Sequence, residues 1–218
     1  QVSLIKAIRE KPQVESGFLK LHFPEPGQLE FGRKIITAIG FDWNRGRLDK
    51  SVHPFTTGFG LNDVRITTRV NEDFLNPAIF GSLHECGHAL YEQGINQKYG
   101  RTPLASGAST AMHESQSRLW ENLVGRSYPF WKCYYPQLQQ VFPSQLGNVS
   151  LDAFYKAINL VEPSLIRIEA DEATYNLHIM LRLELEIAML EDKLPISEVP
   201  AAWNSKMKEY LGITPTND

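Results

Sequence analysis

Residues 84 to 88 read His84-Glu85-Cys86-Gly87-His88, and this run constrains the fold more than any other stretch of the chain. Two histidines four residues apart share a face only if the backbone is helical; both rings can then bind one ion. Glu85, next to the first histidine, is placed to take a proton from water that zinc activates for attack on a peptide carbonyl. Two imidazoles do not complete a catalytic zinc site: a third protein ligand is needed, and a fourth position stays open. The fold must therefore bring another segment against this helix. A downstream glycine and third histidine at the usual spacing are excluded, because Tyr91 and Gly94 stand at those positions. A glutamate from a following helix is the other solution, and Glu92, Glu114 and Glu121 are the candidates. Glu92 lies one turn beyond His88 on the same helix and reaches back poorly. Glu114 and Glu121 both fall on the next predicted helix; the place of Glu114 near its start favours it without removing Glu121.

The rest of the chain reads as mainly α, with a small β element and one domain over residues 1–218. Pro12, Pro24 and Pro26 break the opening segment. Apolar spacing predicts a helix over about 28–39, ended by Gly40, and residues 41–62 read as loop. Residues 63–70 alternate with period two and are β-branched, which predicts a strand with Val64, Ile66, Thr68 and Val70 on one face. Helices follow over about 78–93, 109–124, 130–141, 151–161, 164–190 and 198–211. Gly94 is a plausible C-cap, Ser197 a candidate N-cap, and Gly212 stands just past the last helix.

Composition narrows the partners. A net charge of -3 with no dense Lys/Arg run gives no electrostatic reason to expect nucleic acid or anionic membrane. No apolar stretch approaches the roughly 18 residues of a membrane span, and the first ten residues lack the core of a signal peptide. Cys86 and Cys133 are the two cysteines; a disulfide at Cys86 would pull on the helix that holds the ligands, so both are read as free thiols of a reducing cytosol.

Five segments in order carry a resemblance: His53-Pro54-Phe55, Asp63-Val64-Arg65-Ile66-Thr67, His84 to His88, His113-Glu114-Ser115, and Ile166-Arg167-Ile168-Glu169-Ala170-Asp171. On these the sequence resembles the M32 (carboxypeptidase Taq) family of metallocarboxypeptidases. The resemblance implies a zincin-like, largely helical metallopeptidase core with the metal in a deep groove. It implies His84, His88 and Glu114 as metal ligands, which decides between Glu114 and Glu121, and Glu85 as general base. It further implies release of single C-terminal residues from peptides with broad specificity, zinc or cobalt as cofactor, and a cytoplasmic homodimer in the full-length form. The matching segments cover under half of a family member, and the family's GxxQDxHW motif is absent, so the chain reads as a fragment of a longer protein. An inactive fragment, or a related zinc endopeptidase or oligopeptidase, is the alternative expectation.

Other residues are weighed against simpler roles. A guanidinium fork matches a carboxylate in two parallel hydrogen bonds, so Arg65 and Arg167 are candidates for the substrate's C-terminus. The competing role is a structural ion pair, for instance with Asp63 or Asp171. His53 is a candidate groove residue. His113, beside a proposed ligand, is placed either to orient the site or to face solvent. His22 and His178 are read as structural, and Trp120, Trp131 and Trp203 as core or interface aromatics.

Overall fold

The structure, a computed structural model, describes residues 1–216. In chain order, α1 spans Val2–Arg9, α2 Glu25–Ala38, β1 Gly46–Lys50, β2 Thr56–Gly60, β3 Asp63–Thr68 and α3 Asn76–Gln93. Then α4 spans Thr110–Arg118, a π-helical stretch Leu119–Val124, α5 Tyr128–Val141, α6 Pro143–Leu146, α7 Leu151–Ile158, α8 Glu172–Leu190 and α9 Val199–Leu211. These elements form two compact units, residues 15–158 and residues 1–14 with those from 159 onward.

In the larger unit, β3 is the central strand of a sheet ordered β1-β3-β2, with β1 parallel and β2 antiparallel to it. Leu48 pairs with Ile66 and Thr57 with Arg65. Val64, Ile66 and Thr68 are fully buried, as the alternation predicts, and α3 packs on β3. Thr67, expected on the polar face, is buried as well: its hydroxyl lies 2.6 Å from Ser51 Oγ and accepts from Phe55 N at 2.9 Å. The loop expected over 41–62 is corrected, since β1 and β2 both fall in it. Gly-Arg-Leu-Asp-Lys and Thr-Thr-Gly-Phe-Gly carry no apolar alternation, and pairing with β3 rather than local preference makes them strands.

Helix α3 begins with Pro77 in its first turn, where the missing N–H costs nothing. Ile79, Phe80, Leu83, Cys86 and Ala89 bury one face of α3. The core they join contains Phe31, Ile35 and Ile36 of α2, Trp131 and Leu138 of α5 and Phe154 of α7. The Trp131 ring meets Phe154 edge-on at 4.6 Å, and its N–H donates to Gly125 O at 2.7 Å. The C-terminal end of α3 is tied down by Gln93, which accepts from Asp42 N at 2.9 Å and donates to Asp42 O at 3.0 Å. Arg45 donates to Gln93 O at 3.2 Å, satisfying a carbonyl that the helix end leaves open.

The helix expected over 109–124 changes character midway. Ser109 caps its start, accepting from Met112 N at 3.1 Å, but from Leu119 the backbone winds in π form, closed by Gly125 N donating to Trp120 O at 2.8 Å. Apolar periodicity does not separate the two windings. Helix α4 crosses α3 at Gly87: a Cβ there would stand 2.6 Å from Gln116 O and from Ser117 Cα, so only glycine allows the two backbones to approach this closely.

In the smaller unit, Ile5 of α1, Leu177, Leu181 and Leu185 of α8, and Met207 and Leu211 of α9 form the core. The helix expected over 164–190 begins only at Glu172, because the Asp171 carboxylate accepts from Ala173 N and Thr174 N and caps it there. Residues 167–169 form a single 3-10 turn. Ser197 is not a cap: it lies in the 3-10 turn Ile196–Glu198 and the last helix starts at Val199. Gly212 follows that helix in the left-handed conformation, φ +67°. Cys86 is buried and Cys133 exposed, both as free thiols. Among the described residues no helix is long and apolar enough to cross a membrane.

Candidate metal centre

Helix α3 presents His84 and His88 on one face, their ring centroids 5.0 Å apart. The crossing at Gly87 brings Glu114 of α4 against both. Glu114 Oε2 lies 3.8 Å from His84 Nε2 and 3.4 Å from His88 Nε2, and the three donor atoms fall within 4.8 Å of one another. Ligands held about 2.0–2.2 Å from a tetrahedral zinc stand ~3.4 Å apart, close to the 3.4 and 3.8 Å that separate Glu114 from the two imidazoles, so this donor set suits one divalent ion. The donor set and its convergence carry the fit.

Each imidazole is also held from behind. His84 Nδ1 lies 2.8 Å from Glu121 Oε2, and His88 Nδ1 lies 2.7 Å from His113 Nδ1. The other nitrogen of His113 lies 2.7 Å from Glu92 Oε1. Arg118 donates through Nε to Glu114 Oε1 at 2.9 Å and through Nη1 to Glu121 Oε2 at 3.0 Å, bracing both carboxylates from the same helical turn.

These contacts set the electrostatics. Burial alone would raise the Glu114 carboxyl, but the hydrogen bond to His88 and the charges of His84 and Arg118 outweigh it and hold the group down at about 2. Burial would lower His84; the hydrogen bond and charge of Glu121, with Glu85 and Glu114 beyond, override it and leave the imidazole raised. Glu121 is depressed for the reciprocal reason, its burial overcome by His84 and then by Arg118 and Arg126. Burial pushes the Cys86 thiol up to about 12, so it stays a neutral core group despite its place in the motif.

Glu85 is buried, its carboxylate turned toward the sheet. Thr56 Oγ1, on β2, lies 2.7 Å from Glu85 Oε2 and 3.0 Å from Glu85 O. Nothing in the sequence pointed to Thr56, because β2 itself was not legible. Arg65 on β3 grips Asp63 with Nε and Nη2, both at 2.8 Å, and lies over the Phe59 ring. Arg167, in the smaller unit, donates to Tyr175 Oη at 2.6 Å; Asp171 serves as a helix cap, and among the described residues no carboxylate pairs with Arg167. His53 is exposed in a turn, its carbonyl accepting from Ser51 Oγ. His113 faces the site rather than solvent, and Glu121, weighed as a ligand, stands behind His84.

The sequence matches the profile of the family described as carboxypeptidase Taq (M32) metallopeptidase over residues 2–218. It is 51% identical to thermostable carboxypeptidase 1 of Thermus thermophilus over 201 residues, 92% of this chain and 39% of that protein. It is 45% identical to carboxypeptidase 1 of Bacillus subtilis, covering 100% of this chain and 43% of that one. The fold superposes on the crystal structure of an M32 carboxypeptidase from Deinococcus radiodurans with a TM-score of 0.98 and 46% identity, over 100% of this chain and 44% of that chain. The chain thus spans about two fifths of the length of the curated relatives it matches. With a helical fold of this kind, and a His2Glu cluster between its HExxH helix and the next, the chain belongs to the carboxypeptidase Taq (M32) metallopeptidase family.

Proposed function

We propose that the protein is a metal-dependent carboxypeptidase, or the metal-holding core of one, acting on peptide C-termini with broad specificity. The observation that carries this is the convergence of His84 Nε2, His88 Nε2 and Glu114 Oε2 within 4.8 Å. A divalent ion bound there, zinc or cobalt, supplies Lewis acidity that polarises the scissile carbonyl and acidifies water. Glu85 is the general base: it takes a proton from the attacking water and returns it to the leaving amine. The Thr56 hydroxyl holds the Glu85 carboxylate in one orientation.

The substrate's own carboxylate is what separates an exopeptidase from an endopeptidase. Arg65 uses Nε and Nη2 on Asp63, which leaves its Nη1 edge able to donate. Arg167 keeps most of its five donors clear of any carboxylate partner among the described residues. The Arg167 environment supports its reading as a carboxylate binder, whereas the fork of Arg65 on Asp63 matches the competing structural pair and leaves it one edge for that role, with His53 proposed at the groove edge. The reading extends to a cytoplasmic homodimer, and the net charge of -3 supports the expectation of no nucleic-acid or anionic-membrane partner.

The test uses the zinc- or cobalt-loaded protein on an N-blocked peptide, as free acid and as amide. Release of the last residue from the acid alone is expected, with Glu85→Gln losing about 10²–10⁴-fold in rate while retaining metal. Arg167→Met should act mainly on KM. Equal cleavage of the amide would replace this reading with an endopeptidase, and undiminished turnover by Glu85→Gln would remove Glu85 as the base.

A further inference from the structure

Both ligand histidines have their Nδ1 atoms engaged and their Nε2 atoms facing Glu114. A neutral imidazole has one N–H and one lone pair, so whichever nitrogen carries the proton cannot bind a metal. Glu121 is an acceptor only. Its contact at 2.8 Å therefore requires the His84 proton on Nδ1 and leaves Nε2 with its lone pair.

The same logic runs through two steps on the other side. Glu92 Oε1, 2.7 Å from His113 Nε2, requires the proton there. His113 Nδ1 is then an acceptor, and the contact of 2.7 Å to His88 Nδ1 forms only if His88 donates from Nδ1. In the neutral ring His88 Nε2 is left with its lone pair, turned toward Glu114 Oε2; only the doubly protonated imidazolium donates to that carboxylate as well. Reversing any one bond in this chain would put a proton on His88 Nε2 and close that position to a metal.

Packing keeps the relay in line. The His113 ring sits edge-on to Tyr91 at 5.1 Å, and a Cβ on Gly107 would fall 2.8 Å from His113 Cδ2 and 3.1 Å from Tyr91 Cε1. Tyr91 Oη in turn accepts from Ala108 N at 3.1 Å, anchoring the loop that closes over the ring. Glu92 lies on α3 one turn beyond His88, while His113 comes from α4, so the relay forms only when the two helices are docked.

We propose that Glu92, acting through His113, and Glu121, acting directly, are positioning residues that set the tautomers of His88 and His84 and so prepare both imidazoles to hold a divalent metal. This rests on the metal-centre reading above, but neither of its tests uses a peptide. A failure of the carboxypeptidase reading would therefore leave its outcome standing.

The experiment is 1H–15N long-range correlation NMR of the histidine rings in metal-free protein at alkaline pH, beside zinc affinity measured by competition with a chromogenic chelator. The wild-type spectrum should show His84 and His88 protonated on Nδ1 and His113 on Nε2. Glu92→Gln offers His113 an amide that can donate as well as accept. It should give mixed tautomers at His113 and His88, leave His84 unchanged, and weaken zinc about 10–100-fold, the usual effect of losing an outer partner of a ligand histidine. Glu121→Gln should do the converse, mixing His84 alone. A purely structural role would not sort the tautomers by variant in this way. Protonation of wild-type His88 on Nε2 overturns the proposal without any variant needing to fold. So does a Glu92→Gln protein whose tautomers or zinc affinity match the wild type.

Discussion

Glu114 is less than half exposed, yet its carboxyl is held at about 2 by the imidazoles and the guanidinium around it, which outweigh burial. A carboxylate depressed in the fold stabilises it fully above its unfolded value of about 4.5 and loses that contribution as pH falls toward 2. His84, raised in the fold, contributes fully below about 6.5 and loses its contribution as pH rises through its folded value. In metal-free protein both contributions are present together between about pH 4.5 and 6.5. Replacing Glu114 by Gln should therefore lower Tm most inside that window, with the difference from wild type shrinking toward pH 2; thermal melts by circular dichroism at stepped pH check this. A difference that stays constant down to pH 2 would mean that the Glu114 charge is not what the histidines engage. At this scale the sequence was legible where spacing is decisive: His84, Glu85 and His88 follow from one helical turn. It favoured Glu114 over Glu121 without deciding between them, because seven residues bring a helix back to within about 20° of the same direction. Both do reach the cluster, one toward the Nε2 atoms and the other behind His84.

Among the elements, the α3–α4 crossing makes the site. Gly87 sits inside the histidine motif, yet its role lies outside it: its missing side chain admits the backbone of Gln116 and Ser117. Gly87→Ala should push α4 outward, since both obstructing atoms are backbone and cannot rotate away. The expected cost is about 1–3 kcal/mol in urea denaturation, the range for overpacking, together with weaker zinc retention after dialysis. A variant that keeps wild-type zinc affinity would show that the helices tolerate a wider crossing. The π-helical stretch after α4 is a second device at this scale. It carries Glu121, in keeping with the frequent use of such windings at functional sites. Strands β1 and β2 were invisible beforehand because their residues have no strand pattern of their own. Thr56, which holds Glu85, was hidden with them.

On the scale of the molecule, the candidate metal centre lies wholly within residues 15–158, while Arg167 belongs to the other unit. That unit has its own core, in which Leu181 is fully buried between α1, α8 and α9. Leu181→Ala should cost about 2–5 kcal/mol, the usual range for emptying a buried leucine site, measured by urea unfolding; a loss below about 1 kcal/mol would mean that the core collapses around the gap. Some features of the protein were written locally. The helices with a clear apolar face, the alternating β3 face, the histidine pair at i and i+4 and the glycine after α9 rest on interactions within a few residues, which is why they could be read in order along the chain. The others depend on partners distant in sequence. Glu92 is 21 residues from His113, Glu121 is 37 from His84, and Thr56 is 29 from Glu85. A hydrogen bond between such groups has no periodic signature; it exists because packing at Gly87 and along β3 closes the intervening loops. The histidine pair was thus a matter of spacing, while the carboxylate that meets it and the side chains that stand behind each imidazole were a matter of which segments the fold brought together.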